Sequence, residues 1–240
     1  MLKRRLDLLL VERGLAESQH KAQALVMAGE VMVQGEMVSK PAGLVNEAAN
    51  IELRQPPPFV SRGGVKLDHA LDMFQLDVAG LVVIDIGAST GGFTDCLLKR
   101  GVSRVYAVDV GRGQLDYRLR QDPRVVVLEG VNARYSIPIS EKIDLVTIDV
   151  SFISVTKVTP SAVSLLKEKG ALVVLIKPQF EAVRKEVGRG GVIKDPQVHV
   201  QVLARFIVWA ANQGFRLKGL VASPILGPAG NREFFVWLRI

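Results

Sequence analysis

The stretch Val83-Ile84-Asp85-Ile86-Gly87-Ala88-Ser89-Thr90-Gly91-Gly92-Phe93-Thr94 decides the fold of this 240-residue chain. An apolar run of strand character turns through glycines into a segment of helical composition. Glycine lets the backbone approach a bound nucleoside closely, and the turn from a buried strand into a helix is where doubly wound sheets hold such ligands. The spacing is G-x-x-x-G-G. Ser89 stands where the dinucleotide pattern G-x-G-x-x-G has its second glycine, which argues against a pyrophosphate reader. The candidate cofactor contacts in this stretch are Asp85, Gly87, Ser89, Thr90, Gly91, Gly92 and Phe93. Asp85 has two readings: it orients the turn or meets the positive end of a cofactor, or it caps local backbone amides.

Downstream, apolar runs at Val105 to Val108, Val125 to Leu128, Leu145 to Ile148 and Leu172 to Ile176 alternate with helical segments. Together with Val82 to Ile86 they suit strands buried on both faces of a parallel sheet, with crossover helices between them. Phe215 to Ala222 and Glu233 to Arg239 flank a turn-rich stretch from Pro224 to Gly230 and predict a C-terminal antiparallel hairpin. The expected class is α/β, a doubly wound Rossmann-like sheet. By fold-level analogy, its ending is that of a methyltransferase sheet more than a dehydrogenase one. Asp109 ends the second strand about 20 residues past the glycine turn, where an acid accepts hydrogen bonds from both ribose hydroxyls of a nucleoside. After the third strand, Asn132 and Ala133 offer an amide for an adenine edge, or merely shape a loop.

Upstream, Pro56-Pro57-Pro58 and Ser61-Arg62-Gly63-Gly64 break regular structure and predict a stiff connector. The expected organisation is residues 1–55 as a small α+β module, 56–63 as linker and 64–240 as the larger domain. In the module, Leu6, Leu9 and Leu10 before Gly14, and the segment from Ser18 to Gly29, predict two short helices. Val31 to Val38 reads as two strands around Gly35, and Asn50 to Leu53 as a third.

Hydrophobic residues make up 48% of the chain and charged ones 23%, which excludes disorder and allows one substantial core with a satellite. No apolar run approaches the roughly 20 residues of a membrane span. The basic start runs into Asp7 and Glu12 without a leader's apolar stretch, and Cys96 is the single cysteine, so a cytoplasmic location is expected. The net charge of +7 points to a polyanionic partner. Residues 1–60 carry seven charges of each sign, so the whole excess follows residue 60. Lys3, Arg4, Arg5, Arg13 and Lys21 form a patterned face for phosphates on the module, and Arg62 lies in the connector. Arg184, Lys185 and Arg189 lie beside Gly188, Gly190 and Gly191 in a basic loop suited to RNA. His20, His69 and His199 lack the spacing of a metal site, and no metal is expected. Phe206, Trp209 and Cys96 read as core.

Four charged residues fall at strand ends or entry loops: Lys66, Asp149, Lys177 and Glu233. A lysine directly after the apolar run Val174-Leu175-Ile176 is costly to bury without partners, although each of the four taken singly also fits a solvated strand end. Together they resemble the K-D-K-E tetrad of RrmJ/FtsJ-type ribose 2'-O-methyltransferases. The chain is similar more closely still to the TlyA (haemolysin A) family. The matching segments are Arg4 to Leu10, Ser61 to Leu67, Asp85 to Asp95, Asn132 to Tyr135, Asp149 to Phe152 and Ile176 to Phe180.

That resemblance implies an RNA-binding domain like that of ribosomal protein S-four and a methyltransferase domain that uses S-adenosylmethionine. The implied substrate is a cytidine ribose in ribosomal RNA, and the catalytic residues are Lys66, Asp149, Lys177 and Glu233. Lys177 is the expected proton acceptor, with Asp149 orienting it and Glu233 positioning Lys66 or the substrate. The chain looks short at both ends beside family members that modify both ribosomal subunits, which favours the large subunit as target. Competing readings are a non-catalytic RNA-binding or assembly protein, a nicotinamide-dependent oxidoreductase and a pore former. The oxidoreductase leaves the altered glycine spacing and the strand-end lysines unexplained, and the pore former lacks a membrane segment.

Overall fold

The computed structural model describes residues 2–54, 57–188 and 190–240, and the chain divides into two compact units, Met1–Pro58 and Phe59–Ile240. In the first unit the elements are β1 (Lys3–Arg5), α1 (Leu6–Glu12), α2 (Gln19–Met27), β2 (Val31–Val33), β3 (Glu36–Met37), β4 (Leu44–Asn46) and β5 (Ile51–Leu53). β2 pairs with β3 and β5, and β1 pairs with β4, all antiparallel. Leu6, Leu9 and Leu10 recur at helical spacing and bury against Ala22, Val26, Val31 and Ile51. Beneath them lies Asp7, fully buried, whose carboxylate accepts bonds from the Arg5 guanidinium and from the side-chain amides of Gln19 and Gln23. The Arg5 partnership, reinforced by those two amides, holds Asp7 far below the usual carboxylate range despite its burial.

The second unit contains α3 (Arg62–Phe74), β6 (Val82–Ile86), α4 (Gly92–Lys99), β7 (Arg104–Asp109), α5 (Tyr117–Arg120), β8 (Val125–Glu129) and β9 (Ile143–Ile148). There follow α6 (Thr159–Val163), β10 (Leu166–Ile176), α7 (Pro178–Glu181), α8 (Pro196–Asn212), β11 (Arg216–Ala222) and β12 (Phe234–Arg239). Its seven-stranded sheet runs β11-β12-β10-β9-β6-β7-β8. β6 to β10 are mutually parallel, and β12 is antiparallel between β10 and β11.

Period-two alternation divides the apolar strands between two cores. Ile84, Ile86, Val146, Ile148, Leu172 and Val174 join Val202 and Phe206 of α8 on one face. Val83, Leu145, Val173 and Leu175 join Leu67 and Leu71 of α3 and Leu97 of α4 on the other. The chain turns one way from β6 into β7 and the other way into β9, which makes the β6/β9 boundary the switch point where a crevice opens at the carboxyl ends.

The structure corrects the reading of the connector's end: Arg62 and Gly63 form the first turn of α3. The glycines there serve packing. A Cβ on Gly64 would stand 2.3 Å from the Phe59 ring, and one on Gly92 would stand 2.8 Å from the Gly64 nitrogen. The starts of α3 and α4 therefore meet backbone to backbone, which is what places Lys66, one turn on, beside the glycine turn.

Candidate active site

At the switch point, Gly87 adopts φ +84°, and a Cβ there would lie 2.4 Å from the Asp149 carbonyl oxygen. The end of β9 is thus seated directly against the turn after β6. The turn's Ser89 takes the left-handed conformation with φ 50°, and its N–H donates to Asp109 Oδ2 at 2.8 Å. Gly111 N–H donates to Asp109 Oδ1 at 2.7 Å. The carboxylate ending β7 is fixed from both sides and faces a cavity of about 520 Å3 lined also by Gly87, Ser89, Gln114, Asn132, Ala133 and Asp149.

A second cavity, about 460 Å3, shares Gly87, Ser89, Asp149 and Ser151 with the first. Lys66, Lys177 and Glu233 also line it, as do Arg62, Thr90, Gly92 and Phe93. The four charged residues therefore meet in one place, as two ion pairs. Lys66 Nζ lies 2.5 Å from Glu233 Oε2, both side chains buried. Lys177 Nζ lies 2.6 Å from Asp149 Oδ1, a charge contact off hydrogen-bond alignment, and donates to Ser151 Oγ at 2.9 Å. Burial is tolerable because each charge has its opposite within contact distance.

Asp85 stands apart from these. It is fully buried behind the turn, outside both cavity linings, where Thr94 Oγ1 of α4 (2.7 Å) and Thr147 Oγ1 of β9 (3.1 Å) donate to it. Burial pushes its carboxyl up to about 7, against the two hydroxyls, with Asp149 nearby adding in the same direction. Direct contact with a cofactor, expected from the sequence, does not fit that place; the carboxylate there ties β6 to α4 and β9. Gly91 likewise lies behind the turn, packed so tightly on Leu119 that a Cβ would be 2.2 Å away.

The basic residues divide. Arg13 donates to the Ala49 and Glu47 carbonyls, Arg5 is held by Asp7, and Arg4 pairs with Glu12 and Glu47, so these guanidinium groups brace the first unit. Lys3 and Lys21 are exposed on it. Arg62 donates to the Leu226 carbonyl, and Arg184 and Lys185 are exposed; Arg189 lies outside the described residues. Among the described residues no cluster of His, Cys, Asp and Glu suits a metal.

Several site residues have no role assigned from sequence. Ser151 and Phe152 directly follow the strand-end Asp149, a position that is itself a signal. Phe152 is 91% exposed at the cavity mouth, with φ 64° and its ring 5.0 Å from that of Phe180. Glu181 clasps the same loop, accepting from Ser154 Oγ (2.6 Å) and Val155 N–H (2.8 Å), and burial raises its carboxyl above the usual range.

Comparison with known proteins bears on this geometry. The FtsJ-like methyltransferase family matches residues 59–240, which hold both cavities and both ion pairs. The chain belongs to the FtsJ-like methyltransferase family. Residues 4–51 match the S4 domain. Among curated relatives, the 16S/23S rRNA (cytidine-2'-O)-methyltransferase TlyA of Mycobacterium tuberculosis is 46% identical, covering 98% of this chain and 89% of that one. Hemolysin A of Brachyspira hyodysenteriae is 43% identical over 96% of this chain and 97% of its own length. A solved structure from Streptococcus thermophilus that carries a hemolysin label shares 42% identity with a TM-score of 0.75, covering all of this chain and 89% of that one. In this FtsJ-like methyltransferase, no helix among the described residues is long and apolar enough to cross a membrane.

Proposed function

We propose that the chain transfers a methyl group from S-adenosylmethionine to the 2'-hydroxyl of a cytidine ribose in ribosomal RNA. The observation that carries this reading is the two ion pairs, the buried Lys66–Glu233 and the partly buried Lys177–Asp149, in a cavity sharing the glycine turn with the Asp109 cavity. The residues present fit a nucleoside sulfonium donor. Asp109 offers oxygens to ribose hydroxyls, the Gly87 turn has no room for a side chain, and Asn132 with Ala133 lines the far wall for an adenine.

When bound, S-adenosylmethionine supplies an electrophilic methyl group on a positively charged sulfur. A ribose hydroxyl is a poor nucleophile until its proton leaves, so the chain must hold the oxygen in line with that methyl and accept the proton. Lys177 is the group placed to take the hydroxyl proton, on its Nζ, and the methyl carbon would exchange its bond to sulfur for one to the ribose oxygen. Asp149 and Ser151 hold Lys177 at the shared wall of the two cavities, and Glu233 fixes Lys66, whose ammonium orients the substrate oxygen. The exposed Phe152 ring offers a stacking face for the target base at the cavity mouth. The first unit, Met1–Pro58, serves as the RNA-binding module, with Lys3 and Lys21 as available cations, and Phe59–Ile240 as the catalytic domain.

The test is labelled methyl transfer to large- and small-subunit ribosomal RNA from cells lacking the protein, followed by mapping of 2'-O-methyl positions. Lys177→Ala is expected to abolish transfer while S-adenosylmethionine binding by calorimetry changes less than about threefold. No incorporation into either RNA by the wild-type chain overturns the reading, and full activity of Lys177→Ala overturns the assignment of the base.

A further inference from the structure

Asn231 is 1% exposed and uses both ends of its amide on the backbone of the segment that follows the basic residues Arg184 and Lys185. Its Oδ1 accepts from Ile193 N–H at 2.9 Å, and its Nδ2 donates to the Gly191 carbonyl at 3.0 Å. Ile193 is fastened a second time, its carbonyl lying 3.1 Å from His199 Nε2 of α8. On the other side, the Asn231 carbonyl accepts from Gly227 N–H, closing the loop whose Pro228 and Glu233 line the catalytic cavity. That loop is itself tight. Ser223 N–H donates to the Glu233 carbonyl, a Cβ on Gly227 would stand 2.4 Å from Glu233 Oε1, and Arg62 holds the Leu226 carbonyl. No apolar side chain can replace an amide that donates and accepts at once in a buried place.

We propose that Asn231 is a positioning residue for the RNA substrate: it bolts the segment bearing Arg184, Lys185 and Lys194 to the loop that carries Glu233. Those three side chains are exposed, whereas the anchor at Gly191 and Ile193 is not. The cations thereby sit on a segment fastened to the loop whose Pro228 and Glu233 line the cavity, and less loop ordering remains to be done when phosphates bind. This rests on the reading of the chain as an RNA methyltransferase, so the test includes readouts that do not depend on methyl transfer.

Asn231→Ala, a triple variant Arg184→Ala/Lys185→Ala/Lys194→Ala and their combination are compared in the full chain. Asn231→Ala is expected to raise the KM for ribosomal RNA about tenfold, the cost of one lost buried anchor, with kcat at saturating RNA and the Kd for S-adenosylmethionine within about twofold. The triple variant raises KM as well, and adding Asn231→Ala to it raises KM by less than about twofold, because the bolt acts through those cations. Asn231→Asp, which keeps the acceptor for Ile193 and loses the donor to Gly191, falls between wild type and Asn231→Ala. Hydrogen exchange reads the anchor directly: Ile193 N–H loses protection in Asn231→Ala. The proposal is overturned by additive KM effects, by an unchanged KM in either parent variant, by parallel loss of S-adenosylmethionine binding, or by a protected Ile193 amide in Asn231→Ala. Should the wild-type chain methylate no ribosomal RNA, the functional reading fails by itself, while RNA binding and Ile193 exchange still decide the role of Asn231.

Discussion

The carboxylate of Asp85 sits where a strand, a helix and a second strand meet, and its two threonine partners tie β6 to α4 and β9. With its carboxyl pushed up to about 7 by burial, the folded chain retains a proton there that the unfolded chain releases near pH 4. In that window the folded state binds more protons, so this group's contribution falls as pH rises from about 4 to 7 and is level above. Asp85→Asn removes the titration but keeps an acceptor for one threonine. We expect the difference in stability between the Asp85→Asn variant and wild-type protein, followed by urea unfolding without ligand, to favour the variant increasingly from pH 4 to 7. A pH-independent difference would show that Asp85 is ionised in the fold. Gly87 tests the turn from its other side. Gly87→Ala adds a methyl 2.4 Å from the Asp149 carbonyl at φ +84°, so the end of β9 must retreat and carry Asp149 with it. A displacement on the order of 1 Å at a reacting centre costs about a hundredfold. Methyl transfer by Gly87→Ala should fall by at least that, and activity within about fivefold of wild type would mean the two strand ends do not set the geometry.

Elements differ in how far the sequence reveals them, for physical reasons. The strands buried on both faces are legible because burial demands an unbroken apolar run, and Val82 to Ile86 is both the run and β6. The apolar signal of β10 starts only at Leu172, yet the strand begins at Leu166, since its first residues include the exposed Lys167, Glu168 and Lys169. β1 and β4, three residues each, are too short for any period to show, and they exist because each pairs with the other. The start of α3 resembles a connector because glycine usually breaks helices; here the glycines let two helix starts touch. Lys177 and Asp149 are visible as charges ending apolar runs, whereas Asn231 gives no sign, its role arising from two loops that meet only in the fold. Asp7 links α1 to α2 through Gln19 and Gln23, again invisible to periodicity. Its carboxyl lies below the usual range, so its stabilisation is present above about pH 4 and is lost as pH falls. Asp7→Asn, which removes a charge-assisted network, should cost the first unit about 2 kcal/mol. Hydrogen exchange of α1 and α2 amides in the full chain at pH 7 would report it, and unchanged protection would mean the core of leucines alone holds the helices.

For the whole molecule, charge is divided unevenly: residues 1–60 are neutral and the excess of +7 lies beyond them. Within the first unit, Arg4, Arg5 and Arg13 are engaged with carboxylates and carbonyls, and Lys3, Lys21, Lys40 and Arg54 are exposed. The second unit, which carries the excess, therefore supplies most of the counterion release when RNA binds, and the first contributes shape and position. Two consequences separate this from a generally sticky basic protein. RNA affinity should fall steeply between roughly 50 and 200 mM salt, while S-adenosylmethionine affinity, which we assign to Asp109 and the glycine turn, should change little. Removing Arg184, Lys185 and Lys194 together should lessen the slope of log K against log salt by about 2, since each phosphate contact on a single strand contributes about 0.7. The slope is measured by RNA binding at several salt concentrations, with wild type and variant side by side. An unaltered slope would place the phosphate path elsewhere on the second unit. A loss of that size with the mapped methylation site unchanged would mean these cations hold the RNA backbone without choosing the nucleotide, leaving that choice to contacts at the cavity mouth around Phe152.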